Sequence, residues 1–201
     1  IFYINCCDEF VHKFNFLPFM TIAKPLNKKG ILIIDQTFVD IEPETKTSKD
    51  KSKMINWKQN KKIINNTIDH NKSHNIPKKE TIFFIGQDIG LHKTNFNMRK
   101  WLYDNTKKNK NFEIILNNDK NFVKMSEFSN YKYLINLPGN GLWSFRFKFL
   151  FLMYSLIVNI VVLRHYSKSI DDKWINLLDL LFIPNKDYIE IIYNYNEKEN
   201  Q

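Results

Sequence analysis

The chain has 201 residues and a mass of 24.2 kDa, and with 43% hydrophobic and 15% aromatic residues it can bury a real core and is not a disordered chain. Its net charge of +9 rests on 27 Lys and only 3 Arg, and Lys, Asn and Ile supply 79 of the 201 residues. Such a bias marks AT-rich coding, and scarce Arg argues against a protein that reads nucleic-acid bases through bidentate contacts. The charge is also local. Residues 46–80 hold ten Lys against Asp50, Asp69 and Glu80, a net of +7, and read as a solvated linker and helix. A polyanion-binding patch is the sharper reading of that segment.

In chain order, Ile1–Ile4 is a short apolar run leading into the loop Asn5-Cys6-Cys7-Asp8. The chain opens without Met or a visible signal peptide and reads as a cut chain. Adjacent Cys6 and Cys7 supply neither a disulfide framework nor a zinc site, and the five His residues show no metal-ligand spacing. Gly30–Ile34 predicts a buried strand, residues 42–54 an exposed loop, and residues 55–68 an amphipathic helix.

From residue 81 the pattern sharpens. Thr81–Ile85, Phe112–Leu116 and Tyr131–Leu137 predict strands, with a helix over Asn95–Asn105. The alternation is that of an α/β fold with a mostly parallel sheet. Residues 145–163 imitate a membrane span, but the clean apolar run is only Phe149–Val158, short of the roughly 20 residues a span needs. A buried helix, a tight turn near Tyr154-Ser155 and a buried strand fit it better, so no transmembrane span is expected. Trp174–Phe182 predicts a helix, Ile189–Ile192 a strand, and the tail from Asn194 is polar and expected to fray.

Chemistry concentrates at Pro138-Gly139-Asn140-Gly141-Leu142-Trp143-Ser144-Phe145-Arg146. A strand ends in a Gly-bearing loop, and a helix is expected to start near Ser144, where backbone N–H groups favour an anion. Arg146 is a retained Arg in a chain that otherwise uses Lys, which points to planar bidentate chemistry of the kind a diphosphate needs. An ordinary turn with a surface Arg is the plainer alternative.

Residues 131–192 resemble the C-terminal core of glycosyltransferase family 90, the protein O-glucosyltransferase and capsule-associated, lipopolysaccharide-modifying group. The resemblance is carried by Tyr131-Lys132-Tyr133-Leu134-Ile135-Asn136, Ser144-Phe145-Arg146-Phe147-Lys148-Phe149-Leu150 and Phe182-Ile183-Pro184 with Asp187-Tyr188-Ile189-Glu190. Upstream, Ile82-Phe83-Phe84-Ile85-Gly86 is similar to the family's strand ending in F-R-G, followed by a run ending in an Arg. Here Ile85 replaces the motif Arg, Gln87 stands at the usual Ser, and Lys93 falls where the second Arg is expected. Tyr3-Ile4-Asn5-Cys6-Cys7-Asp8 resembles the family's strand ending in N-x-x-D, whose Asp is the general base.

The resemblance implies a two-lobed GT-B-like fold with a Rossmann-like C-terminal lobe and part of an N-terminal lobe. Residues 1–45 would be a remnant of the acceptor-side lobe, 46–80 the Lys-rich linker and helix, 81–193 the nucleotide-sugar lobe and 194–201 the polar tail. It implies inverting, metal-independent transfer of glucose or xylose from a UDP-sugar donor, with no cofactor, to a hydroxyl of a protein or glycan acceptor. Asp8 would be the base. Gln87, Lys93, Gly141, Leu142, Trp143, Ser144, Phe145 and Arg146 would hold the donor. Eukaryotic members would place the chain in the lumen of the secretory pathway. The alternative is a catalytically degenerate member that binds a nucleotide sugar or a partner without turnover.

Overall fold

A computed structural model describes residues 3–5, 19–21, 23–25, 31–32, 57–89, 97–117, 123–138, 146–164, 174–176 and 181–195. Four short strands come first: β1 (Tyr3–Asn5), β2 (Phe19–Thr21), β3 (Ala23–Pro25) and β4 (Ile31–Leu32). β1, β2 and β4 form a small parallel sheet with β2 in the middle. The 42–54 loop expected from sequence lies outside the described residues.

Helix α1 (Trp57–Ser73) buries Ile64 and Ile68, four residues apart, and turns its Lys residues outward. It ends where Asn75 takes a left-handed φ of 51° and the Ile76 N–H reaches the Asn71 carbonyl at 2.8 Å. Asn tolerates that conformation, and the bond satisfies one of the orphan carbonyls of the last turn. The helix therefore runs five residues past the expected end.

Strands β5 (Lys79–Gln87), β6 (Phe112–Asn117), β7 (Tyr131–Asn136) and β8 (Leu156–Arg164) carry the main sheet. Helix α2 (Met98–Thr106) links β5 to β6, and the four-residue α3 (Phe147–Leu150) lies between β7 and β8. After β9 (Trp174–Asn176), β10 (Ile189–Tyr195) completes the set. The sheet is all-parallel in the order β10-β8-β7-β5-β6. The fold is thus α/β, with helices and a five-stranded parallel sheet.

Alternation along β5 divides the core. Phe83 and Ile85 join α1, Tyr131, Leu134 and α3 on one face, while Phe84 joins Met98, Leu102 and Ile114 on the other. Burial on both faces is what a parallel sheet requires, and it explains the unbroken apolar run of this strand. Phe83 is stacked on Tyr131 at 4.0 Å and meets Phe128 edge-on at 5.0 Å.

The span-like segment folds as expected. α3 runs into a single 3-10 turn at Phe151–Met153, Tyr154 adopts a left-handed φ of 50°, and β8 follows. Lys78 fixes the turn, donating from Nζ to the Met153 carbonyl at 2.6 Å, the Tyr154 carbonyl at 2.7 Å and the Ser155 hydroxyl at 2.8 Å. Burial, and then repulsion from Lys72, holds the Lys78 amine below its ordinary pKa. Among the described residues no helix is long and apolar enough to cross a membrane.

Two expectations are corrected. Trp174–Asn176 forms β9, antiparallel to β3, instead of opening a helix. Trp and Ile favour strands, and the partner that selects this one lies about 150 residues upstream, beyond the reach of local periodicity. The chain also stays in β10 through Tyr195 rather than fraying from Asn194, because Asn194 and Tyr195 pair with Leu163 and Arg164.

Candidate functional site

The strand order places a topological switch point between β5 and β7. The chain leaves β5 through α2 to β6 on one side, then returns past β5 to β7 on the other. In open α/β sheets the crevice outside the carboxyl ends of the strands at such a point is where ligands bind.

Two of the three arginines meet there. Arg99 stands in the first turn of α2 and is buried. That turn is fixed by Asn97, whose Oδ1 accepts the Lys100 N–H at 3.0 Å and whose Nδ2 donates to Asp88 at 2.6 Å. Arg99 donates from Nη1 to the Gln87 carbonyl at 3.0 Å and from Nε to the Pro138 carbonyl at 3.2 Å. It therefore spans the ends of β5 and β7. Arg146, at the start of α3, is partly buried and donates from Nη1 to the Ile85 carbonyl. Both guanidinium groups lie against the Phe84 ring, at 5.7 Å for Arg99 and 5.1 Å for Arg146.

Gly86 makes this approach possible. A Cβ at Gly86 would stand 2.8 Å from Phe84 Cζ and 3.2 Å from Arg146 Nη2. A side chain would press on both the ring and the guanidinium it supports.

The electrostatics are one-sided. Burial lowers the Arg99 pKa, and burial followed by the positive charge of Arg99 lowers that of Arg146 to about 10. Both remain cations at neutral pH. Among the described residues no carboxylate forms an ion pair with either group. Backbone carbonyls orient them without cancelling their charge. Two partly desolvated guanidinium groups held at a switch point can take an anion with several oxygens, because each offers a planar fork of N–H donors.

Of the residues singled out in the sequence, the structure brings two to this place. Arg146 is there through its side chain and Gln87 through its main-chain carbonyl, its side chain being exposed. Asp8, Lys93, Gly141, Leu142, Trp143, Ser144 and Phe145 lie outside the described residues. α3 begins at Phe147, with Arg146 as its N-cap residue. A helix of four residues has a weak dipole, so the positive end rests on the arginines rather than on α3.

Sequence reasoning missed Arg99. The signal that singled out Arg146, a retained Arg in a Lys-rich chain, applies equally to Arg99. Among the described residues no group of three or more His, Cys, Asp or Glu could hold a metal ion. His70 and His74 sit at the end of α1 and the following turn, with ring centroids 4.1 Å apart.

No protein-family model matches the chain, and no curated protein matches it.

Proposed function

We propose that the chain is a glycosyltransferase of the family 90 type, which moves glucose or xylose from a UDP-sugar to a hydroxyl of a protein or glycan acceptor. The observation that carries this reading is the pair Arg99 and Arg146, two cations without a carboxylate partner among the described residues, at the switch point of a parallel sheet. A UDP leaving group carries its charge on a diphosphate, and a site of this kind stabilises that charge as it develops.

In the proposed reaction the Asp8 carboxylate takes the proton of the acceptor hydroxyl while the acceptor oxygen attacks the anomeric carbon from the face opposite UDP. The bond between that carbon and the diphosphate oxygen breaks, and UDP leaves with the electron pair. The added negative charge falls on oxygens facing Arg146 and Arg99. In this reading Arg99, which ends the run after Phe84-Ile85-Gly86, supplies the second arginine of the family pattern in place of Lys93. The small sheet of β1, β2 and β4 belongs to the N-terminal lobe of a GT-B-like pair. The acceptor binds on that side.

The test is UDP release from UDP-glucose and UDP-xylose with candidate acceptors. The reading requires turnover that Asp8→Asn and Arg146→Ala each lower, and it fails if neither does. One observation favours the second reading, a member that binds without turnover. Ile85 occupies the family's Arg position and is buried in the core, 7% exposed, so this chain has one cation fewer than the pattern. Calorimetric binding of UDP with no transfer to any acceptor would support it.

A further inference from the structure

Two asparagines stand side by side inside the apolar sheet next to the arginine pair. Asn136 closes β7 and Asn159 lies opposite it in β8, in register. They are 5% and 8% exposed, and Asn136 donates from Nδ2 to Asn159 Oδ1 at 2.7 Å. Asn136 Oδ1 is fully enclosed and has no hydrogen-bond partner among the described residues. Leaving a buried carbonyl oxygen unpaired costs about 1–3 kcal/mol, and apolar side chains fill the rest of this strand end, so the pair is not there for packing.

Its position says what it serves. The last paired residues of β5 and β7 are Phe83 and Leu134, and two residues beyond them stand Ile85 and Asn136. Ile85 is the residue whose carbonyl holds Arg146. Neighbouring strands lie roughly 4.8 Å apart, so the unpartnered amide oxygen of Asn136 is one strand over from the anchor of Arg146. Phe83, Leu134 and Ile85 share one face, and Asn136, two residues after Leu134, falls on it too.

We propose that Asn136, held by Asn159, is a specificity-determining residue that bonds a sugar hydroxyl flanking the diphosphate of the bound nucleotide sugar. This rests on the diphosphate reading of the arginine pair. A phosphate oxygen only accepts hydrogen bonds and cannot satisfy Asn136 Oδ1, whereas a hydroxyl both donates and accepts and suits a carboxamide in either orientation. Hydroxyls adjoin the diphosphate on both sides, on the ribose and on the transferred sugar. Asn159 fixes the carboxamide, so the ligand gains a preset partner.

The test compares pyrophosphate, UDP, 2′-deoxy-UDP and UDP-glucose by calorimetry on the full chain and on Asn136→Leu, a change of similar volume. The proposal expects pyrophosphate affinity to hold while UDP, UDP-glucose or both weaken about three- to tenfold. Loss confined to UDP-glucose assigns the transferred sugar. Loss shared by UDP assigns the ribose, and 2′-deoxy-UDP then binds the unchanged chain as weakly as UDP binds the variant if the 2′-hydroxyl is the group. If Asn136→Leu does not fold, Asn136→Ser, which keeps a polar group too short to bridge, replaces it. If pyrophosphate and UDP bind in an Arg146-dependent way and the ligand ratios are the same in chain and variant, this proposal is overturned and the diphosphate reading stands. If neither binds, both are overturned.

Discussion

The two ends of the parallel sheet treat their charged side chains differently. At the amino end Lys79 and Lys132 have carboxylate partners, while the partly buried Lys78 bonds the oxygens of the Met153–Ser155 turn. Lys132 meets Glu80 at 2.7 Å, Lys79 lies 3.5 Å from Glu113, and the Tyr131 hydroxyl donates to Glu113 at 2.7 Å. At the carboxyl end, among the described residues, Arg99 and Arg146 bond carbonyl oxygens and share one aromatic ring. The charged side chains of the amino-end ion pairs are exposed, where an ion pair contributes little. The carboxyl-end charges are desolvated, where an unpaired charge is costly and an incoming anion gains most. The difference teaches where a bound anion would gain most from this sheet, at its carboxyl end.

Reversing the charge at the carboxyl end gives the largest effect. In Arg146→Glu the new carboxylate pairs with Arg99 and occupies the site with the chain's own anion. Pyrophosphate affinity should fall by more than about a hundredfold in calorimetry, while circular dichroism shows the fold retained. Gly86→Ala is next. The added Cβ would force back Phe84 and Arg146, costing about 1–3 kcal/mol in chemical denaturation and weakening pyrophosphate several-fold.

The amino end should respond far less. Glu113→Gln removes the charge facing Lys79 and should change stability by less than about 1 kcal/mol, leaving pyrophosphate affinity unaltered. A large loss of binding in this variant would erase the contrast between the ends.

The smallest effect is in alkaline pH, and its sign differs between the ends. Burial, with help from Glu113, raises the Tyr131 pKa, and the hydrogen bond to Tyr131 raises that of Lys79. Groups raised in the folded state lose their contribution as pH climbs through the folded value, so this end weakens above about pH 10. Arg146 is lowered to about 10, so the unfolded chain binds the extra proton above that pH and the carboxyl end gains instead. Glu113→Gln lowers the Tyr131 pKa, and denaturation between pH 9 and 11 should show the decline beginning earlier in the variant.

Much of the sheet was legible because a buried parallel strand is a run of apolar residues between turn signals. Thr81–Ile85 and Phe112–Leu116 fall inside β5 and β6, and Tyr131–Leu137 overruns β7 by one residue. The break at Tyr154 was legible too, since the apolar run is too short for a span and turns β-branched in its second half. β9 was not, because what selects a strand at Trp174 is pairing with Pro25. Arg146 could be singled out by its rarity in a Lys-rich chain. Arg99 could have been found the same way, but its partners at Gln87 and Pro138 are set by the strand order, which no local pattern carries.

The central proposal is that the carboxyl end of the sheet, where two arginines have no carboxylate partner among the described residues, takes a diphosphate. Calorimetric titration of pyrophosphate into the full chain, Arg99→Ala, Arg146→Ala and Glu113→Gln tests it most directly. The account predicts binding at pH 7 that falls about tenfold or more in each arginine variant and holds in Glu113→Gln. Equal affinity in all four proteins, or no binding to the unaltered chain, would contradict it.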